Sequence, residues 1–179
     1  MNRIRKGALA ALVMIATTLP ALAGEQKVKE SDVPRPAIEA VHKKYPQAKL
    51  TGFSKEEEDG KTTYEVKIED GARRIDIDLS AEGKILAEEE LIGADALPKE
   101  VKKGLAGSKY AKWTLERAEK IVKEEKADDP SYELLLTDDE HVAEVVFDKG
   151  GKIVNEEEKK ARKKPEPGEK GEKGEDDGD

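Results

Sequence analysis

The chain has 179 residues, of which 41% are charged and 4% aromatic, and it contains no cysteine. Its formal net charge of −8 argues against binding to nucleic acid or to anionic lipid, because both attract clustered cations. Without cysteine there is neither a disulfide framework nor a lipid attachment site of the bacterial lipoprotein kind, so burial alone must hold the fold together.

Residues 1–23 have the composition of an export signal. Three cations come first, at Arg3, Arg5 and Lys6. An apolar run over residues 7–19 follows, and Ala21-Leu22-Ala23 has the small-x-small pattern that signal peptidase cuts. The run is shorter than the roughly 20 residues of a spanning helix. We expect cleavage before Gly24, no stable membrane insertion afterwards and a periplasmic or secreted protein. Loss of the three cations takes the net charge from −8 to −11.

A duplication organises the rest of the chain. Tyr64-Glu65-Val66 returns as Tyr132-Glu133-Leu134, and Gly83-Lys84-Ile85 returns as Gly151-Lys152-Ile153, both at an offset of 68. Self-similarity at a fixed offset indicates a repeated supersecondary unit. Two copies that fold alike favour a scaffold that presents a surface, because a catalytic site usually breaks such symmetry.

The first unit is predicted to hold one helix and four antiparallel strands. Ser31 and Asp32 can accept hydrogen bonds from the first amides of the helix, and Pro46 ends it. Its apolar face carries Ala37, Ile38, Val41 and Tyr45 at helical spacing. Strands are predicted over residues 50–57, 63–69, 74–79 and 85–91, because apolar residues alternate with polar ones and turn residues separate the runs.

The second unit repeats this plan. Leu97-Pro98 opens a helix that carries Val101 and Leu105, and strands are predicted over residues 132–137, 141–148 and 153–157. The stretch 110–126 fits either a helix or a strand, because apolar residues also recur there at helical spacing. We predict a long strand, since the duplicate requires one. Pro98 and Tyr132 are four residues farther apart than Pro34 and Tyr64 of the first unit. We expect the segment 110–126 to contain the four additional residues.

The predicted fold class is therefore α+β, with two tandem units that each pack one helix on a four-stranded antiparallel sheet and together form one continuous sheet. The segments are a signal peptide (1–23), a linker (24–30), unit 1 (31–92), unit 2 (93–158) and a tail (159–179). The tail has no residue able to build a core and is rich in charge, glycine and proline, so it is predicted to be disordered.

Several short motifs make the chain resemble a known family. They are Lys44-Tyr45-Pro46-Gln47-Ala48-Lys49, Thr63-Tyr64-Glu65-Val66, and the strand and turn over residues 75–85. The pattern resembles the PepSY-like, beta-lactamase-inhibitor-protein-like (BLIP-like) family of exported bacterial proteins, in tandem over about residues 33–158. The second copy departs from it, because Tyr110-Ala111 stands where Tyr-Pro would. The resemblance implies a helix-over-sheet fold whose open sheet face docks onto other proteins, with an inhibitory or modulating role toward exported peptidases or other envelope enzymes.

The candidate partner-binding residues are the polar alternates of the strands, which would lie on the open face if the apolar alternates face the helices. They are Glu65, Lys67, Arg74, Asp76, Asp78, Glu133 and Glu144. An ordinary solvated sheet surface explains the same pattern. We expect a monomer that binds an exported or envelope protein, and no nucleic acid.

Residues for catalysis, metal binding or a cofactor are not predicted. His42 and His141 fall in different copies, without cysteine or an H-E-x-x-H spacing, and are expected to be exposed. The acidic runs 56–59 and 88–90 are expected to protect sheet edges from pairing. The alternative function is that of an acidic cation-binding (calcium) or envelope-stress protein of the periplasm.

Overall fold

The computed structural model describes residues 26–58 and 60–161, without the side chain of Glu58. The predicted signal peptide and all of the predicted tail beyond residue 161 lie outside these residues. The chain divides into two compact units. The first holds the described residues up to Glu90 together with Val122–Ala127, and the second holds Leu91–Ile121 and the described residues from Asp128. A strand that crosses one of these boundaries is assigned below to the unit that holds most of its residues.

Unit 1 packs one helix on one face of an antiparallel sheet. Its elements are β1 (Gln26–Lys27), α1 (Arg35–Lys44), β2 (Lys49–Glu58), β3 (Lys61–Asp70), β4 (Arg73–Ser80) and β5 (Ile85–Ile92). The strands pair in chain order from β1 to β5. A short 3-10 helix, Glu30–Asp32, precedes α1.

The core of unit 1 follows from the period-two pattern of its strands. Alternate residues of β3 and β4 are buried beneath α1, which contributes Ala37 and Val41. The buried strand residues are Val66, Ile68, Ile75, Ile77 and Leu79. The polar alternates of the same strands lie on the opposite face.

The start of α1 differs from the prediction. Pro34 occupies the N-cap position of the helix, and no side chain makes a capping hydrogen bond there. Ser31 and Asp32 lie instead in the 3-10 helix, where the Asp32 carboxylate accepts a hydrogen bond from the backbone N–H of Lys29 at 3.1 Å. The proline after Tyr45 ends α1 as expected, because the residue before a proline is disfavoured in helical conformation.

Unit 2 repeats the architecture. Its elements are α2 (Lys99–Ala106), β6 (Thr114–Lys123), β7 (Ser131–Thr137), β8 (His141–Asp148) and β9 (Ile153–Lys160). Tyr110 and Phe147 are the largest fully buried side chains of its core, and Val101 is the buried residue of α2. The prediction of a strand within 110–126 is confirmed, because β6 pairs with β7.

The strand register shows the duplication directly. Tyr64 lies opposite Leu79 and Tyr132 lies opposite Phe147, an offset of 68 on each strand. The same irregularity recurs in the last strand pair of each unit, between Asp78 and Leu79 and between Val146 and Phe147. Matching pairs in both units show that the repeat is one of backbone pairing as well as of sequence.

The strand that follows the helix in each unit, β2 or β6, has a smaller offset than the later strands. Phe53 pairs with Val66 and Ala118 pairs with Leu134, so β6 follows β2 at an offset of 65. Three additional residues therefore lie between β6 and β7, where the 3-10 helix Glu124–Lys126 occupies part of the connection.

Two strands extend beyond the predicted units. β1 lies in the segment predicted as a linker, where Gln26 and Lys27 pair with β2, so unit 1 has five strands rather than four. β9 continues through Lys159 and Lys160, which composition assigns to the tail, because these residues pair with β8. None of the helices within residues 26–58 and 60–161 is long and apolar enough to cross a membrane.

Candidate functional site

The candidate site of unit 1 is its open face, by which we mean the sheet face opposite α1. Strand alternation places all five predicted residues of this unit on it, because their chain neighbours in β3 and β4 are the buried core residues. The five are Glu65, Lys67, Arg74, Asp76 and Asp78. Glu65 lies opposite Asp78, and Lys67 lies opposite Asp76.

Lys67 is the cation at the centre of this group. Its Nζ atom lies 2.7 Å from Asp76 Oδ2 and 2.8 Å from Glu65 Oε1. The Ser54 hydroxyl on β2 donates a further hydrogen bond to Glu65 Oε1 at 3.1 Å. Burial would lower the pKa of Lys67, but the hydrogen bonds to Asp76 and Glu65 outweigh it and raise the pKa above its usual value. Lys67 therefore stays charged and holds two carboxylates in place.

Asp78 is the carboxylate that this arrangement disfavours. Burial, followed by the negative charges of Glu65, Asp76 and Glu56, raises the pKa of Asp78 from 3.8 to about 7, and Lys67 opposes the shift only in part. The open face of unit 1 thus holds more negative charge around Lys67 than one ammonium can balance. The net charge of this face therefore changes with pH near neutrality, through Asp78.

Arg74 lies apart from this group. It is exposed and pairs in register with Glu69, one row beyond Lys67 and Asp76. The structure therefore brings together four of the five predicted residues of unit 1.

Unit 2 presents a related arrangement on the corresponding face. Glu133 follows Glu65 at the offset of 68, and Glu144 follows Asp76. The Arg117 guanidinium lies 3.3 Å from Glu119 Oε2 and 3.9 Å from Glu133 Oε1. Burial, followed by the charges of Glu119 and Glu144, raises the pKa of Glu133 to about 6, while Arg117 opposes the shift. Acidic residues again surround one cation.

The two open faces also differ. Leu135 stands where unit 1 has Lys67, and Val146 stands where unit 1 has Asp78. The face of unit 2 is therefore less charged in the rows where the face of unit 1 carries its ion pairs.

Sequence reasoning missed three members of these groups: Ser54, Arg117 and Glu119. All three lie on the strand that follows the helix of a unit, β2 or β6, where the alternation of polar and apolar residues is weakest. The register supplies the signal, because Ser54 lies opposite Glu65 and Glu119 lies opposite Glu133. The offset of 65 relates Ser54 to Glu119, whereas the counterpart of Arg117 in unit 1 is Gly52.

The helix side of each sheet contains a second repeated cluster. In unit 1, the Tyr45 hydroxyl donates to Glu88 Oε1 at 2.9 Å and Lys44 Nζ lies 2.7 Å from Glu88 Oε2. Burial and the Glu88 carboxylate raise the pKa of Tyr45 to about 12. Arg73 pairs with Glu90 at 2.8 Å. The expectation that the run 88–90 serves edge protection is therefore wrong for Glu88 and Glu90, which contact residues of the helix side.

Unit 2 repeats this cluster with its own residues. The Tyr110 hydroxyl donates to Glu156 Oε2 at 3.1 Å, and Lys109 Nζ lies 3.1 Å from Glu156 Oε1. The cluster ties the segment after each helix to the last strand of its unit. The acids on the helix side thus have structural partners.

The histidines do not form a site. His42 is exposed on α1, as expected. His141 is half-buried, contrary to expectation, because its ring stacks on Trp113 at 6.2 Å between centroids and its Nδ1 atom lies 3.4 Å from Asp138 Oδ1. In the part of the chain that the structure describes, no group of three or more histidine or acidic side chains is arranged to hold a metal ion.

Comparison with known proteins adds a family and a set of similar folds. The family model described as "putative beta-lactamase-inhibitor-like, PepSY-like" matches the chain twice, over residues 23–87 and 88–155. A structure from Bacteroides eggerthii, described as a "putative periplasmic" protein, is similar with a TM-score of 0.61 at 13% identity, over 70% of this chain and 88% of that chain. A BLIP-like protein from Bacteroides fragilis has a TM-score of 0.56 at 18% identity, over 70% of this chain and 86% of that chain. None of the curated proteins matches the sequence significantly. At these identities the structural likeness concerns the fold.

Proposed function

The chain belongs to the beta-lactamase-inhibitor-like, PepSY-like family, and on that premise we propose that it is an exported, non-enzymatic module that binds another protein through the open face of its sheet. The chain is periplasmic or secreted, in agreement with the leader-like start of the sequence and with the periplasmic description of a similar structure. The family name favours inhibition or modulation of an exported enzyme as the outcome of binding.

The observation that carries the proposal is the electrostatic arrangement around Lys67. Glu65 and Asp78 are like charges directly opposite each other on neighbouring strands, which destabilises a sheet. Burial is the largest cause of the raised pKa of Asp78, and the negative charge of Glu65 is the next. A sheet face whose only role is contact with solvent could carry serine or threonine at these positions. A costly arrangement on the face away from the core is typical of a surface kept for binding.

The proposal that the protein is not an enzyme has support in the same geometry. Asp78 and Glu133, two carboxylates with raised pKa values, lie at alternate positions of β4 and β7, on the sheet faces opposite the helices. Acid catalysis by paired carboxylates requires an enclosed site around the substrate bond.

Affinity capture tests the proposal. The chain from Gly24 to Asp179 is immobilised and exposed to an envelope extract, beside a variant in which Glu65→Gln, Asp76→Asn and Asp78→Asn remove the acidic charges around Lys67. Binding through the open face predicts a protein that the wild-type chain retains and the variant loses. Equal retention by both chains, or no specific retention by either, would count against the proposal.

Calorimetry with calcium separates this proposal from the alternative of a cation-binding protein. Calcium takes 6–8 oxygen ligands, whereas Lys67 already occupies the carboxylates of Glu65 and Asp76. We expect only heats of dilution. A saturable, stoichiometric heat would favour the cation-binding alternative.

A further inference from the structure

We propose that two copies of the chain associate through the free edge of β9, with their β9 strands antiparallel about a two-fold axis at Glu158. The sequence predicts a monomer, and the charges along this strand are the feature that argues for a pair. The inference is independent of the proposed function, because pairing at an edge extends the sheet sideways and leaves its open face accessible.

β9 has an edge that no other strand covers. Among the residues that the structure describes, β9 pairs with β8 alone. The Ala161 N–H donates to the Glu140 carbonyl at 2.7 Å, so this residue directs its backbone groups toward β8. Successive residues of a strand point their backbone groups to opposite sides, and those of Glu156, Glu158 and Lys160 therefore point away from β8. Such a row of donors and acceptors is a template for another strand.

The regular part of this edge is the stretch 155–160. The pairing with β8 is irregular before it, between Val146 and Phe147, so Val154 has no residue opposite it and is 51% exposed. A bulge bends its strand and hinders pairing at that point. A second strand can therefore pair with 155–160 rather than with the start of β9.

The regular part carries two blocks of opposite charge. Glu156, Glu157 and Glu158 come first, and Lys159 and Lys160 follow directly. Charge of one sign protects an edge, because it repels an identical edge. A strand whose two signs lie in separate blocks attracts an antiparallel copy of itself, because the acidic block of each strand lies beside the basic block of the other.

The direction of the free backbone groups selects the register. Residues whose backbone groups point outward must lie opposite one another, and an axis at Glu158 satisfies this condition. Glu156 then lies opposite Lys160, and each such pair occurs twice by symmetry. Glu157 lies opposite Lys159, also twice, so the single pair of like charges at the axis is outnumbered. An axis at Glu157 would instead set Glu156 opposite Glu158.

The two kinds of pair lie on different faces of the sheet. Glu157 and Lys159 lie on the open face, where they already form an ion pair at 2.9 Å within the chain. Glu156 lies on the helix side, where it binds Tyr110 and Lys109. Lys160 is exposed and forms no ion pair among the described residues. The second copy therefore gives Lys160 the carboxylate that its own chain does not.

The other copy of the repeat shows that this pattern is particular to β9. β5 has the same three acids at 88–90 but continues with Leu91 and Ile92, where β9 has Lys159 and Lys160. The two lysines are thus the difference that makes the edge of β9 complementary to itself.

Sedimentation equilibrium of the chain from Gly24 to Asp179 tests the inference. One pair of edge strands is smaller than a standard interface, so we expect weak association, with the average mass rising from monomer toward dimer between about 10 μM and about 1 mM protein. High salt should weaken the association, because it screens exposed charges. A monomer mass over the whole range, or association that salt does not weaken, would overturn the inference.

Glu157→Lys and Lys159→Glu are the test variants. Each sets like charges opposite each other twice and should weaken self-association about tenfold. The ion pair that each variant loses within its own chain is exposed and adds little to stability, so both should fold. An equimolar mixture of the two should associate as tightly as the wild-type chain, because each changed side chain then faces the opposite charge.

Lys112→Glu is the matched control, since it changes the net charge as Lys159→Glu does but lies at an exposed position before β6. It should leave the association unchanged. Equal weakening by this control, or no recovery in the mixture, would contradict pairing through β9.

Amide hydrogen exchange followed by NMR locates the interface. Between about 50 μM and about 1 mM protein, the amides of Glu156, Glu158 and Lys160 should become protected, whereas those of Glu157 and Lys159 should change little because they already face β8. Concentration-dependent protection at other strands and none at these three amides would place the contact elsewhere and refute the inference.

Discussion

Replacing Asp78 by asparagine should stabilise the protein at neutral and alkaline pH. The pKa of the side chain rises from 3.8 to about 7 in the folded chain. Each unit of pKa corresponds to about 1.4 kcal/mol, so the ionised carboxylate costs the folded state up to about 4 kcal/mol. Water reaches part of the side chain, and solvent screening makes this figure an upper limit. Asparagine keeps the shape of the side chain and removes the charge.

The cost depends on pH, because the folded protein holds the Asp78 proton where the unfolded chain has released it. Below about pH 4 both states are protonated and nothing is lost. Stability then falls as the pH rises to about 7 and stays level above it. Between pH 5 and pH 8 the wild-type chain should lose roughly 2.5 kcal/mol through Asp78. Glu133, whose pKa rises from 4.5 to about 6, adds roughly 1 kcal/mol in the same direction.

Urea denaturation followed by circular dichroism at pH 5 and pH 8 measures this effect. The Asp78→Asn chain should have a higher midpoint than the wild-type chain at pH 8, and the difference should shrink at pH 5. Asp95→Asn serves as the exposed control and should change neither midpoint. The electrostatic cost assigned to Asp78 is refuted if Asp78→Asn gives no gain at pH 8, or the same gain at both pH values.

Three further predictions concern the scaffold. Gly83→Ala and Gly151→Ala should each destabilise the chain by several kcal/mol in thermal denaturation, because both glycines have positive φ and an added Cβ would overlap the backbone carbonyl of Pro36 or Glu100. Gly71→Ala is the matched control, because Gly71 also has positive φ but has open space around it, and this change should cost only about 1 kcal/mol. Equal losses of stability at all three positions would contradict the close contact of Gly83 and Gly151 with the helix backbone. Tyr45→Phe should lower the free energy of unfolding by about 1 kcal/mol in urea denaturation, because the hydrogen bond to Glu88 is lost, and Tyr110→Phe should have a similar effect through Glu156. No loss of stability in either variant would show that these hydrogen bonds do not stabilise the fold. His141→Ala should change the emission of Trp113, the single tryptophan, while His42→Ala should not, and an unchanged spectrum in the first variant would argue against the stacked pair.

The strands were the most predictable part of the fold, because half-buried strands carry a period-two pattern that is visible in the sequence. Ile75, Ile77 and Leu79 were correctly placed on one side of β4 in this way. The strand β6 was not readable from its own residues, since its apolar positions also fit a helix. It was predicted correctly only because the other copy has a strand there.

The contacts between distant residues were not predictable from local patterns. Glu88 and Glu90 look like solvated members of an acidic run. The hydrogen bond from Tyr45 to Glu88 depends on how α1 crosses the sheet, and the one from Arg73 to Glu90 depends on the pairing of β4 with β5. His141 looked exposed because its burial comes from Trp113, which lies far away in sequence. For the candidate site, alternation placed the predicted residues on one face, but the network around Lys67 required the register between β3 and β4.

The common register of the two units gives the molecule a practical property. Each residue of β3, β4 or β5 has a counterpart 68 positions later, with an equivalent backbone pairing and different neighbours. Val146, for example, is the counterpart of Asp78. Exchanging such residues between the halves compares one side chain in two surroundings within a single polypeptide and a single sample. The contribution of a side chain can then be separated from that of its environment, which a fold present in one copy does not allow.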